Sequence, residues 1–296
     1  VGEGGDSSSD STGYAQGAPH FSMLGVDAQV AAVYGDAART LYTYGSHDKN
    51  EWSAYENTFF TGPAEGDGYY IYGISYAQMI YDTDAQALSG EKPYTGKDVT
   101  DPLGVSAQTA SHHFLTWVRS LTDHKPIIVM SHVPMHADRA DNRGGWTWAR
   151  ALNLAAEDHD IIFLWGHNHT LESRSSSLET ERAHYLLQPG EKLTAQTWEL
   201  DSEGNPVTKR TAEPLPGEKT GASVLVSQEE TLNFIYLNAG YITSGIGSVI
   251  SFTDADDSGD FDTLTVRRYG LEGAETSFGS TGIASPWTYE LRRWED

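Results

Sequence analysis

Three histidine-bearing segments hold the residues best suited to chemistry. In Leu164-Trp165-Gly166-His167-Asn168-His169, two imidazoles lie one residue apart, directly after the apolar run Ile161-Ile162-Phe163-Leu164-Trp165. That run reads as a buried strand. A strand that ends in glycine and then offers alternating imidazoles presents neutral nitrogen ligands to a metal ion. A second apolar run, Pro126-Ile127-Ile128-Val129-Met130, ends at Ser131-His132, and a third, Thr40-Leu41-Tyr42-Thr43-Tyr44, ends at Gly45-Ser46-His47-Asp48. Each histidine thus follows the C-terminal end of a strand, the edge where α/β sheets place their ligands.

The intervening segments are those needed to carry such strands. Residues 27–38, with Val30, Ala31, Val33 and Tyr34, read as a short helix feeding the strand before Gly45. Residues 69–74 are aromatic and β-branched, which predicts a strand. Over 106–123, Ala107, Ala110, Phe114, Trp117, Val118 and Leu121 recur at helical spacing behind Ser106, a suitable N-cap. His112 and His113 fall on that helix and are accounted for by a partly exposed face. Residues 146–157 predict a second helix, and 233–237, 248–253 and 263–268 predict strands that complete a sheet. Between 172 and 232 the chain turns rich in Ser, Glu, Thr and Pro, with pieces such as Thr197-Trp198-Glu199-Leu200 and Val207-Thr208-Lys209 that read as a β-rich insertion. The acidic run 254–260 resembles a calcium loop, but Thr265 stands where the closing carboxylate belongs, so it reads as a solvated turn.

At the three histidine segments the chain resembles the calcineurin-like metallophosphoesterases. Gly45-Ser46-His47-Asp48, Ser131-His132 and Gly166-His167-Asn168-His169 follow the last three of that family's five motif blocks, and Leu237-Asn238-Ala239-Gly240-Tyr241 with the hairpin ending at Tyr269 is similar to its tail. The resemblance implies an α-β-β-α sandwich of two mixed sheets flanked by helices. It implies two divalent or trivalent metal ions (Mn, Fe or Zn) and hydrolysis of phosphomonoesters or phosphodiesters by a metal-bridging hydroxide. Carried over residue by residue, His132 and His167 ligate one metal with Ser46, and His169 ligates the other. His47 acts on the phosphoryl group or leaving oxygen while Asp48 orients its ring. His136 is a secondary candidate for the pocket wall, and Arg139, Asn142 and Arg143, in the loop that follows, read as solvated surface residues within reach of a substrate.

Two departures accompany the match. Ser46 replaces the family's metal-binding Asn. The first two blocks, Asp-x-His and Gly-Asp, have no convincing equivalent: Gly35-Asp36 lies too close to Gly45, and Gly5-Asp6 sits in a Gly/Ser/Asp-rich stretch without an apolar strand to carry it. Residues 1–18 therefore read as a flexible linker, and 19–296 as a metallophosphoesterase domain lacking its N-terminal strands. On this reading the chain alone binds metal weakly. A metal-free relative kept as a binding or surface-interaction module, and an unrelated metal hydrolase, stay open as alternatives.

Composition narrows the partners. Lys and Arg number 19 against 42 Asp and Glu, a net charge of −23. Such a surface repels nucleic-acid duplexes and anionic membranes. A phosphoester substrate, whether a small molecule or a nucleotide, must then be drawn in by local positive charge. The absence of cysteine excludes disulfides and thiolate metal sites and fits an extracellular or cell-surface location. No apolar run is long enough to span a membrane.

Overall fold

The computed structural model describes residues 2–3, 28–35, 40–43, 60–80, 106–136, 144–166, 186–198, 225–241, 246–255, 258–270, 273–278 and 282–294. In chain order its strands and helices are β1 (Gly2–Glu3), α1 (28–34), β2 (Leu41–Tyr42), β3 (Gly62–Glu65), β4 (Tyr70–Ile74), α2 (Tyr76–Ile80), α3 (Ala107–Val118), β5 (Ile127–Ser131), α4 (Gly145–Ala155) and β6 (Ile161–Trp165). There follow β7 (Leu186–Leu187), β8 (Lys192–Trp198), β9 (Leu225–Thr231), β10 (Ile235–Asn238), β11 (Gly240–Tyr241), β12 (Ile246–Thr253), β13 (Thr263–Tyr269) and β14 (Trp287–Glu290).

The molecule is α/β, built on a six-stranded mixed sheet of order β3-β4-β5-β6-β10-β7. Strands β4, β5, β6 and β10 run parallel, and β3 and β7 close the edges antiparallel. Parallel strands covered on both faces read as continuous apolar runs rather than alternating ones. Accordingly, every residue of Ile127–Ser131 is buried. One face packs on α3 and α4, which cross over from β4 to β5 and from β5 to β6. Phe114 and Trp148, both fully buried, meet there with ring centroids 5.9 Å apart, and Tyr72 lies edge-on to Phe114 at 4.9 Å.

Helix α3 follows its sequence pattern. The Ser106 Oγ accepts from Thr109 N, and Ala107, Ala110, Phe114 and Val118 form the buried stripe. The helix ends at Val118, short of the expected 123. Ser120 N and Leu121 N bond carbonyls only three residues back, a tightening typical of a terminus, and the chain then turns through Asp123 and Pro126 into β5.

The other face packs on a second, four-stranded antiparallel sheet of order β11-β12-β13-β14. Ile162, Ile235 and Leu237 from the first sheet meet Leu264, Val266 and Trp287 from the second. The outer face of this second sheet is partly exposed, with Val249 at 49%. Among the described residues the layers are therefore helices, sheet, sheet. The outer helical layer that the resemblance implied is not found among them.

Three expectations are corrected. Gly2–Glu3, expected within a linker, forms β1 and pairs parallel with β2 in the register Gly2↔Leu41 and Glu3↔Tyr42. A strand thus does precede Gly5-Asp6, although residues 4–18 lie outside the described ones. Its cohesion comes from backbone pairing, which an apolar pattern does not reveal. The expected insertion begins differently as well. Leu186–Leu187 belongs to the main sheet as β7, and β8 pairs along its whole length with β9, Trp198 opposite Leu225; Val207-Thr208-Lys209 lies outside the described residues. Asn153 of α4 pins that hairpin by donating to Thr231 O and accepting from Asn233 N. Lastly, β2 stands outside the six-stranded sheet and is joined to the chain before β3 by Phe60 N donating to Tyr42 O.

Candidate functional site at the C-terminal edge of the main sheet

Register places the strand ends side by side. Ile74 pairs with Ser131, Ser131 with Trp165, and Trp165 with Asn238, so these four residues form one row across β4, β5, β6 and β10. The next residues of the four strands are Ser75, His132, Gly166 and Ala239. Gly166 N donates to His132 O at 3.0 Å, and Ala239 N donates to Trp165 O at 2.8 Å. The parallel ladder therefore continues one step past the strands, and His132 is held beside the residue that immediately precedes His167 in the chain.

His132 is 1% exposed. Its ring lies edge-on to Tyr76, centroids 6.3 Å apart. Tyr76 opens α2 and is fixed by a reciprocal cap in which Ser75 N donates to Gln78 Oε1 at 3.0 Å and Gln78 N to Ser75 Oγ at 3.4 Å. Beyond His132, the Ser131 hydroxyl donates to Val133 O at 3.0 Å and shapes the turn. The first residue of α4, Gly145, approaches this loop so closely that a Cβ there would lie 2.2 Å from Met135 O. Glycine is required by that contact.

His136, the secondary candidate for the pocket wall, is turned into the core. It is fully buried, and its Nδ1 lies 2.8 Å from the Tyr236 hydroxyl. That hydroxyl already accepts from Met135 N at 2.9 Å and His136 N at 3.4 Å. His112 and His113 are exposed on α3, as their position on the helix implied. In the acidic turn, Asp254 accepts from Ser258 N at 3.0 Å and Gly259 N at 2.7 Å, and these bonds tie its carboxylate to the turn itself.

Two residues at this edge were not singled out from sequence. Asn238 ends β10, and Arg268, 1% exposed, reaches it from β13: Nη1 donates to Asn238 O at 2.8 Å and Nη2 to Asn238 Oδ1 at 3.0 Å. Gly240 N donates to the same Oδ1 at 2.9 Å. The pair stitches the two sheets together beside the strand ends. A signal for it existed, because Arg268 shares its parity with the inward-facing Leu264 and Val266.

Of the residues assigned from the resemblance, His132 is described; Ser46, His47, Asp48, His167 and His169 lie outside the described residues, as do Arg139, Asn142 and Arg143. Among the described residues no group of three or more His, Asp or Glu side chains is arranged to hold a metal ion. His132 itself fits a ligand's place, being buried, fixed by its backbone and set at a strand end. One imidazole does not make a metal site, and the fit of the group rests on the segments that follow β2 and β6. No helix of the described residues is long and apolar enough to cross a membrane. No protein-family model matches the chain, and no curated protein matches it.

Proposed function

We propose that the protein is a metal-dependent phosphoesterase of the calcineurin-like kind, acting on a phosphomonoester or phosphodiester at the C-terminal edge of the main sheet. The observation that carries this reading is the bond from Gly166 N to His132 O, which aligns the ends of β5 and β6. It brings the end of the strand that leads to His167 beside His132, which supports the reading.

On this reading His132, His167, His169 and Ser46 hold the metal ions, and β1, lying parallel to β2, makes Asp6 a further carboxylate to test. Bound metal ions supply Lewis-acid chemistry: they draw charge from the phosphoryl oxygens and favour a nucleophilic oxygen at neutral pH. The chain's own contribution is positional. Strand ends locked by ladder bonds hold His132 rigid, Tyr76 closes one side of its ring, and His47, oriented by Asp48, meets the phosphoryl group or protonates the leaving oxygen. A metal-free relative serving as a binding module is the second reading, favoured by Ser46 in place of an amide ligand.

Hydrolysis of p-nitrophenyl phosphate and of bis(p-nitrophenyl) phosphate, assayed with Mn, Fe or Zn added in turn, separates the two. Metal-dependent turnover that is abolished by a chelator and by His132→Ala supports the phosphoesterase. Turnover of neither ester with any of the metals, in protein shown to be folded, supports the binding module.

A further inference from the structure

At the opposite, N-terminal edge of the main sheet, the chain's last described residues are gripped by an unusual set of groups. Arg292 donates from its backbone N to Asp160 Oδ2 and from Nε to Asp160 Oδ1, both at 2.8 Å. Its Nη1 donates to Ala156 O at 2.6 Å and its Nη2 to His159 O. Ala156 caps the C-terminal end of α4, where exposed carbonyls favour a cation. The guanidinium also lies 4.2 Å from the Trp294 ring centroid, and Trp294 stacks on His124 at 4.9 Å with 16° between the planes. Leu291, just before, is buried in the core between the two sheets.

This grip depends on a histidine pair. His124 Nδ1 lies 2.7 Å from Asp158 O, and His159 Nδ1 lies 2.9 Å from Lys125 O, so the approaches to β5 and β6 are cross-tied through their rings, 5.8 Å apart. His159 is 2% exposed. We propose that residues 291–294 form an acid-released clasp: charging the buried His159 ring displaces the 156–160 turn and withdraws the carbonyls and carboxylate that hold Arg292.

Burial of the ring, and not the charge around it, argues for release at mildly acidic pH. From the approach to β5 it is faced by Asp123, His124 and the Lys125 carbonyl, and from its own turn by Asp158, while Arg292 bonds the His159 carbonyl rather than the ring. Burial pushes the His159 ring below the ordinary histidine value, the bond to Lys125 O opposes this, His124 adds to it, and Asp123 and Asp158 oppose it. Since β14 leads directly into the clasp, release loosens the second sheet from the first at the end remote from the candidate site.

The chain contains no cysteine, so Arg293→Cys carrying a nitroxide reports this segment alone. In full-length protein the spin label is expected to be immobilised at pH 7.5. It should become mobile below the ordinary histidine value of about 6.5 while the far-ultraviolet circular dichroism is unchanged. His159→Gln should abolish the pH dependence, and Arg292→Ala should leave the label mobile throughout. A label that stays immobile down to pH 5, a transition that survives in His159→Gln, or a loss of circular dichroism at the same pH overturns the proposal. Should His159→Gln not fold, ring resonances of His159 in the labelled parent decide. Titration at the release midpoint supports the clasp, and titration apart from it overturns it.

Discussion

Single residues at this protein's strand ends are held by backbone geometry more than by their own side chains. His132 is fixed because the ladder between β5 and β6 runs one step beyond Ser131. That position was legible from sequence, since an apolar run followed by Ser-His puts the histidine at a strand end whatever its partners. The fate of His136 was not legible. Its partner Tyr236 is a hundred residues away, and nothing near it in sequence marks that contact. Arg268 belongs between these cases. Replacing it with Met strands Asn238 O and leaves Oδ1 with Gly240 N alone, and an unpaired buried acceptor costs about 1–3 kcal/mol. Urea unfolding of Arg268→Met should lose stability of that order. Arg268→Lys should not restore it, because an ammonium lacks the fork that reaches both oxygens. Tyr72 gives a residue-scale pH effect. Burial pushes its hydroxyl up to about 12, so the folded state holds its proton more tightly than the unfolded chain does. Stability is therefore complete below pH 10 and falls as pH rises toward 12, by about 3 kcal/mol at roughly 1.4 kcal/mol per unit. Thermal unfolding between pH 9 and 11 should fall less steeply for Tyr72→Phe than for the parent.

Elements were readable in proportion to how much their stability comes from local pattern. Helix α3 and strands β5 and β6 carry period and caps in their own residues, and the Ser106 cap forms as its position implied. Ser106→Ala should destabilise the chain by about 1 kcal/mol, seen as a lower urea midpoint with unchanged slope. By contrast, β1 and β7 are two-residue strands formed by pairing with distant partners, and β3 contains Pro63, a residue tolerated in a strand only at an edge. No local signal announces such strands. The join between α4 and the His132 loop is a further long-range fact. Gly145→Ala drives a methyl into Met135 O, and the contact is with backbone, which cannot step aside. The substitution should lower stability and, on the phosphoesterase reading, also weaken metal binding at His132, whereas Gly190→Ala, whose Cβ meets nothing within 4 Å, should affect stability alone through its positive φ of 93°.

At the scale of the whole molecule, two sheets packed face to face place four parallel strand ends on one edge and the C-terminal clasp on the other. A net charge of −23 surrounds them. An anionic phosphoester approaches against that field, and screening over a Debye length of about 8 Å at physiological salt removes most of it. For an active phosphoesterase, kcat/KM for a dianionic monoester should therefore rise several-fold between low and physiological salt, and rise less for a monoanionic diester. Composition also set the broad class correctly, since the runs of buried strand and the amphipathic helices made an α/β sheet the natural reading. The mutual placement of the histidine segments was not a property of any one of them. It depends on β5 and β6 being neighbours, which only the crossover through α4 establishes. Titration of the full chain with Zn and with Mn, followed calorimetrically beside His132→Ala and His167→Ala, asks most directly whether these imidazoles share a cation. Saturable binding weakened at least tenfold by each substitution is the expected result. Binding that neither substitution changes would contradict convergence at the sheet edge, and with it the phosphoesterase reading.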